Sequence, residues 1–325
     1  MSGDLDQIYA PIADDLQALG GLLQRELATD DPFIGELVGH VLTTRGKLVR
    51  PALALLSSAA CGGADGQRLY LAGTVELIHI ASLIHDDIID AADLRRGTPT
   101  VNMLWGNQIA VLLGDYLFAT AFDLVSRIRH PQVAPVIAMA AVAMSQAEIQ
   151  AVKIGGEPHE DEAAYFAIIE GKTARLLSAA CRAGALITGA SEATADALAE
   201  FGLQWGMSFQ ITDDALDLTG NRAVLGKPIG SDIDTGKVTL PVIAALRAAP
   251  EPDRQRLRAL VRQPAGDGVL EELRALVDRY GGVGVALEAA RRFAERAATA
   301  LDVLPGSRAK SSLLDLAAFV LVRAR

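Results

Sequence analysis

The sequence predicts an all-α protein, and three observations carry that expectation. Half of its 325 residues are hydrophobic, yet only 5% are aromatic. The apolar residues, chiefly Leu and Ala, recur at helical spacing almost throughout. No alternating apolar and polar segment is long enough to read as a strand. Leu and Ala are strong helix formers, so composition and periodicity agree. The length is enough for one large core or two modest domains.

Taken in order, the periodicity places helices at 11–28, 33–44, 48–60, 67–91, 107–129, 133–152 and 160–188. Further helices follow at 192–218, 238–248, 252–262, 269–280, 283–303 and 308–323. The segments 107–125 and 174–188 are apolar nearly all round, which suits helices inside a bundle. Turn residues concentrate in three breaks: 93–100 (DLRRGTPT), 153–159 (KIGGEPH) and 219–237 (TGNRAVLGKPIGSDIDTGK). The last is long, Gly-rich and basic, as functional loops often are. No Ser, Gly or Pro linker divides the chain, so residues 1–325 read as a single domain.

The net charge is −10, with a pI near 5. An acidic balance argues against non-specific nucleic-acid binding, which needs a basic face. The two cysteines, Cys61 and Cys181, fit neither a disulfide framework nor a zinc site, and read as buried thiols in a reducing cytoplasm. The polar start, MSGDLDQIYA, is no signal peptide. No uninterrupted apolar run reaches about 18 residues, so no membrane span is expected. The stretch 132–145 reads as a buried helix.

Against this background LIHDDIID, residues 83–90, is unusual. Residues four apart share a helix face, so Asp86 and Asp90 point the same way while like charges at that spacing repel. The pattern recurs as DDALD at 213–217, with Asp213 and Asp217 on one face. Asp87 and Asp214 lie about 100° round from their neighbours. One acidic cluster is common on an exposed helix face. Two on apolar helices call for a cation, because buried carboxylates cost several kcal/mol each, on the order of magnitude expected for unpaired charge. An oxygen-only donor set suits magnesium, with water and substrate phosphate completing the shell.

Basic residues supply the other half. Lys47 and Arg50 stand in RGKLVRP, and Arg95 and Arg96 follow the first acidic cluster. Lys172 and Thr173 open KTARLLSAA, while Lys227 and Lys237 flank the Gly-rich loop. Arg suits bidentate phosphate contacts and Lys a point charge, so the set points to a polyphosphate ligand. The P-loop pattern of nucleotide enzymes is absent from the sequence. On the residues alone, His79 and His85 read as core histidines, Trp105 and Trp205 as packing, Asp115 as a buried hydrogen-bonding acid, and Arg323 and Arg325 as an exposed tail.

ELIHIASLIHDDIIDAADLRRGTPT, FQITDDALD, GKPIGSDIDTGKVTLP and GKLVRP together resemble the trans-polyprenyl diphosphate synthases, the head-to-tail prenyltransferases of isoprenoid biosynthesis. The resemblance runs from about residue 30 to the C-terminus. It implies the isoprenoid synthase fold, an antiparallel helical barrel around a central cavity, as a homodimer. It implies magnesium, three ions per site, with Asp86, Asp90 and Asp213 as leading ligands and Asp87, Asp214 and Asp217 in support. Arg95, Lys172, Lys227 and Lys237 would hold an allylic diphosphate, with Gln210 beside it. Lys47, Arg50, His79 and Arg96 would hold isopentenyl diphosphate. Thr173 and Gln210 would offer dipoles to the allylic cation. One departure is Leu48, where the family often has Arg.

Ala81 and Ser82 bear on product length. They lie about one turn below the aspartates, where the family uses an aromatic to stop synthesis early. Both are small, so a product of roughly C30 to C50 is expected, with geranylgeranyl diphosphate the alternative. Leu77, Ile78, Phe118 and Phe122 lie near enough in the pattern to matter. More distant alternatives are a class I terpene cyclase, which usually replaces the second aspartate motif, and a subunit of a heteromeric synthase, which loses one or both motifs. This chain keeps both.

Overall fold

A computed structural model describes residues 2–43, 46–63, 66–155, 159–219, 237–263 and 266–322. It is all-α, as expected. Helices run Ser2–Tyr9 (α1), Ala13–Glu26 (α2), Pro32–Thr43 (α3), Val49–Ala60 (α4), Gln67–Ile89 (α5), Val101–Ser126 (α6) and Val133–Ile154 (α7). They continue through Glu162–Ile169 (α8), Arg175–Leu186 (α9), Glu192–Thr219 (α10), Leu240–Ala248 (α11), Glu251–Val261 (α12), Asp267–Arg279 (α13), Gly282–Ala300 (α14) and Arg308–Val322 (α15).

Four features depart from the sequence reading. Residues 2–9 form a helix that the periodicity does not predict. The break at 93–100 holds a short antiparallel pair, Leu94–Arg95 (β1) with Thr98–Pro99 (β2). α6 starts six residues early and carries a break at Gly106, whose φ of 82° and ψ of 162° are open to glycine. The expected single helix 160–188 is interrupted by a π-turn at Glu170–Ala174. Of the 219–237 loop, residues 220–236 lie outside the described residues, and Lys227 with them.

The chain forms two compact units. The first comprises Met1–Ala141, Leu176–Gly202 and Ala300–Leu316. Its core is built on Leu19, Leu23, Leu53, Leu56, Leu71 and Leu77, all without exposed surface. α5 packs along α6 and α4. Gly73 allows that approach: a Cβ there would lie 3.1 Å from Leu124 of α6 and 3.3 Å from Leu22 of α2. α5 is thus clamped on several sides, which fixes where its C-terminal aspartates emerge.

The second unit comprises Val142–Arg175, Leu203–Thr299 and Ala317–Arg325. Its core joins Tyr165 and Ile169 of α8 to Met207, Ile211, Ala215 and Leu218 of α10, and continues through α11 to α14. The buried positions of α10 recur at intervals of three and four, which is the apolar stripe of a packed helix. Asp213, Asp214 and Asp217 are interleaved with that stripe.

Among the described residues, two helices, α6 and α7, are long and apolar enough to cross a membrane by length and composition alone. Core helices of proteins without a membrane span meet the same criterion.

Candidate active site

In the first unit, α5 ends in a left-handed turn at Ala91 (φ 48°), and the Ala92 N–H donates to the Asp87 carbonyl at 2.9 Å. This is a helix stop normally built with glycine. The chain then reverses through Arg96 (φ 55°) and Gly97 (φ 78°), a two-residue loop with both φ positive that matches strand twist. Thr100 and Asn102 fasten the return by donating to the Ala92 carbonyl at 2.7 and 3.1 Å. His40 of α3 ties the second strand, its Nε2 donating to the Pro99 carbonyl at 2.9 Å.

This local fold brings Arg95 back over α5. Its Nε donates to both Asp87 oxygens, at 2.8 and 3.1 Å, and Nη2 lies 2.6 Å from Oδ1. Asp87 is buried, and burial raises its carboxyl above the ordinary range, with Arg95 pulling it back. Asp86 and Asp90 are half-buried. Asp87, expected to support metal, and Arg95, expected to contact diphosphate, are therefore paired directly with each other.

The basic residues gather next to this turn. Arg50 Nη1 donates to His79 Nε2 at 2.9 Å, which requires the imidazole to accept and so to be neutral. Burial, then Arg50, Arg96 and Arg95, hold the His79 pKa well below 6.5. Gly46 abuts the Arg96 guanidinium; a Cβ there would lie 2.5 Å from Nη2. Arg96 itself is held somewhat below the ordinary range by burial and by Arg95, with buried Glu76 opposing. Leu48 caps α4 in the left-handed region (φ 51°), a costly place for a bulky residue. Tyr9 of α1 donates to the Lys47 carbonyl at 3.1 Å. Arg50, Arg95 and Arg96 thus concentrate positive charge around His79, which suits an anionic ligand.

Ala81 has no exposed surface, while Ser82 is half-buried and donates to the His79 carbonyl at 2.8 Å. His85 packs onto α6 at Gly114, where a Cβ would lie 2.2 Å from its Nε2, and faces Phe118 at 6.0 Å between ring centroids. Asp115, expected to be buried, is exposed and lies 3.7 Å from His85.

The second unit holds the other group. The π-turn adds a residue to the helical path and turns Thr173 toward α10, as such turns do at functional sites. Gly171 permits it, since a Cβ there would lie 2.6 Å from the Ala147 Cβ and 3.0 Å from the Ala143 carbonyl. The Thr173 hydroxyl donates to Gln210 Oε1 at 2.9 Å, and Gln210 Nε2 donates to Asp214 Oδ1 at 2.8 Å. The Tyr165 hydroxyl donates to Asp214 Oδ2 at 2.6 Å. Lys172 pairs with Glu148 of α7. A cavity of about 160 Å³ is lined by Lys172, Thr173, Gln210, Asp214, Lys237 and His159, among others. Asp213 is half-buried and Asp217 buried.

Lys172, Thr173, Gln210 and Lys237 are thus brought together, and Tyr165, His159 and Glu148 join them unforeseen. The signal for Tyr165 is its place two helical turns upstream of Thr173. The π-turn that makes the spacing productive has no simple sequence mark. Trp205, stacked on Phe209 at 5.1 Å, is packing as expected.

Among the described residues, no three His, Cys, Asp or Glu side chains converge to hold a metal unaided. Magnesium takes one or two carboxylates and completes its shell with water and phosphate. Asp86, Asp90 and Asp213 are half-buried where Asp87, Asp214 and Asp217 are buried, and carboxylate oxygens are the donors magnesium takes.

Comparison with known proteins shows the family. The polyprenyl synthetase family pattern matches residues 31–277. The octaprenyl diphosphate synthase of Haemophilus influenzae is 33% identical over 96% of this chain and 95% of its own. A short chain isoprenyl diphosphate synthase of Methanothermobacter thermautotrophicus is 42% identical over 87% of this chain and 88% of its own. The crystal structure of a polyprenyl synthase from Caulobacter crescentus, complexed with calcium and isoprenyl diphosphate, is 30% identical with a TM-score of 0.92, covering 99% of this chain and 98% of that one. Fold and relatives define an all-α enzyme of the prenyltransferase class, with the isoprenoid synthase fold. The chain belongs to the polyprenyl synthetase family, as a trans-polyprenyl diphosphate synthase.

Proposed function

We propose that the protein extends an allylic diphosphate, farnesyl or geranylgeranyl, by successive head-to-tail condensation with isopentenyl diphosphate, giving an all-trans product of roughly C30 to C50. The observation that carries this reading is the grouping of the Arg50 and Arg96 guanidinium groups around neutral His79 in one unit, with Lys47 assigned by resemblance. It offers charge to a diphosphate without a metal, and isopentenyl diphosphate needs no metal of its own.

Lys172 and Lys237 receive the allylic diphosphate, with Arg95 and Lys227 assigned by resemblance. Asp86, Asp90 and Asp213 would hold magnesium, with Asp87, Asp214 and Asp217 in support, and the metal would supply neutralising charge to the leaving diphosphate. The allylic C–O bond breaks, and the isopentenyl double bond attacks the resulting cation. The released diphosphate takes the proton lost next to the new C–C bond. Thr173 and Gln210 present dipoles without full charge, which stabilise a cation without trapping it.

Small side chains at Ala81 and Ser82, together with the octaprenyl-forming relative, support a long product. A geranylgeranyl product is the second reading, favoured by the relative described as short chain. The exposed apolar residues Met139, Val142, Ile149 and Val152 of α7 support a homodimer. The free thiols of Cys61 and Cys181 support a cytoplasmic setting, and the family pattern, which runs through both units, supports one domain.

The test is incubation with magnesium, either allylic diphosphate and labelled isopentenyl diphosphate, followed by sizing of the dephosphorylated products. Incorporation into C30–C50 alcohols is the expected result, abolished by chelation of magnesium. A C20 alcohol establishes the second reading. Absence of incorporation rejects both, and a cyclic hydrocarbon from the allylic substrate alone identifies a cyclase.

A further inference from the structure

We propose that Tyr165 is a positioning residue for the condensation, acting through Asp214 on the Gln210–Thr173 pair. The inference rests on the reading above that Thr173 and Gln210 flank the reacting carbon.

An amide side chain has two orientations that fill the same space with opposite dipoles. Gln210 Nε2 faces Asp214 Oδ1 at 2.8 Å, and its Oε1 receives the Thr173 hydroxyl at 2.9 Å. Flipping the amide would set its oxygen against a carboxylate oxygen and its NH₂ against a hydroxyl now obliged to accept. The carboxylate therefore selects the dipole. With its proton committed to Gln210, Thr173 turns lone pairs elsewhere, and both residues line the cavity that Lys172 and Lys237 share.

Asp214 can select the amide only while its own rotation is fixed. One oxygen is engaged by Gln210 and the other by Tyr165, at 2.6 Å. Asp214 and Tyr165 are each 5% exposed, so bulk water is a poor substitute donor. The phenol ring is held in turn by an edge contact with Phe166, 5.5 Å between centroids, and by the apolar core around Ile169 and Ile211. The carboxylate is anchored from the core side, and the chain of hydrogen bonds ends at the cavity.

Tyr165→Phe removes one oxygen atom and keeps the packed ring. Its steady-state kinetics are compared with those of wild type, Gln210→Ala and the double variant, with melting recorded for each. The expected kcat of Tyr165→Phe falls about tenfold, the loss of one hydrogen bond to a charged acceptor. KM for isopentenyl diphosphate stays within about twofold, as for any residue that acts on the transition state alone. Adding Tyr165→Phe to Gln210→Ala costs nothing further, because Tyr165 then has no amide to orient. A kcat within about twofold of wild type, or losses that multiply in the double variant, overturns the inference while the proposed function stands. A wild type that forms no prenyl product overturns both. A purely structural tyrosine would lower Tm and leave the kcat of the folded fraction unchanged, which also overturns the inference.

Discussion

At the scale of residues, charge accounts for most of the first half-site. His79 accepts from Arg50 and is held neutral by burial and three guanidinium groups. Its folded pKa lies below the 6.5 of the unfolded chain, so between those values the unfolded chain binds a proton that the folded protein refuses. Stability is full above about pH 6.5 and declines as pH falls through that window. Calorimetry should show Tm falling from about pH 7 downward, with a shallower slope in His79→Gln. Gly46 makes a different prediction. Its missing Cβ leaves room for the end of the flexible Arg96 side chain, so Gly46→Ala displaces the guanidinium cheaply. Stability should change by under about 0.5 kcal/mol. KM for isopentenyl diphosphate should rise about tenfold at nearly constant kcat, one charge-assisted contact being lost. The basic residues of the proposed diphosphate site could be picked out in the sequence, because a polyphosphate ligand calls for Lys and Arg and the resemblance assigns their roles. The supporting residues were not, because Gly46, Glu76 and Tyr165 act through neighbours that only the fold supplies.

At the scale of elements, periodicity placed the helices well and missed what interrupts them. α6 carries on through Gly106 and α8 runs into a π-turn, and neither break involves proline. The aspartate motifs also differ internally in a way spacing alone does not show. The second aspartate of each, Asp87 and Asp214, is buried and held by side chains of its own unit. The first is half-buried in both motifs. Along α5, Ser82 retains exposed surface where Ala81 has none, so Ser82 is the better placed to meet a growing chain. Ser82→Phe should shorten the products to C20 or less in the sizing assay, roughly one helical turn of room being lost. Unchanged products would remove Ser82 from the determinants of length.

At the scale of the whole molecule, composition was the informative signal. Abundant Leu and Ala with few aromatics point to an all-α protein, and the chain has the fold of polyprenyl synthases. Apolar surface remains that composition could not assign to core or exterior. On α7, Met139, Val142, Ile149 and Val152 range from 56% to 73% exposed, too much for a monomer surface to carry without reason. In the proposed homodimer, Ile149→Glu should shift the sedimentation coefficient to that of a monomer, since a charge at an apolar contact is strongly unfavourable. An unchanged dimer would locate the contact elsewhere.

The π-turn has a further consequence, for how this enzyme tolerates change. One added residue slips the angular phase of a helix by about 100°. Side chains before Glu170 and after Ala174 therefore keep separate phases, and α8 can hold its core face while Lys172 and Thr173 are aimed independently. Substitutions that spare Gly171 leave that phase alone. A one-residue deletion within 170–174 resets it, moving Thr173 away from Gln210 with every amino acid on either side intact. This short segment is therefore constrained in length as well as in the identities of Gly171, Lys172 and Thr173.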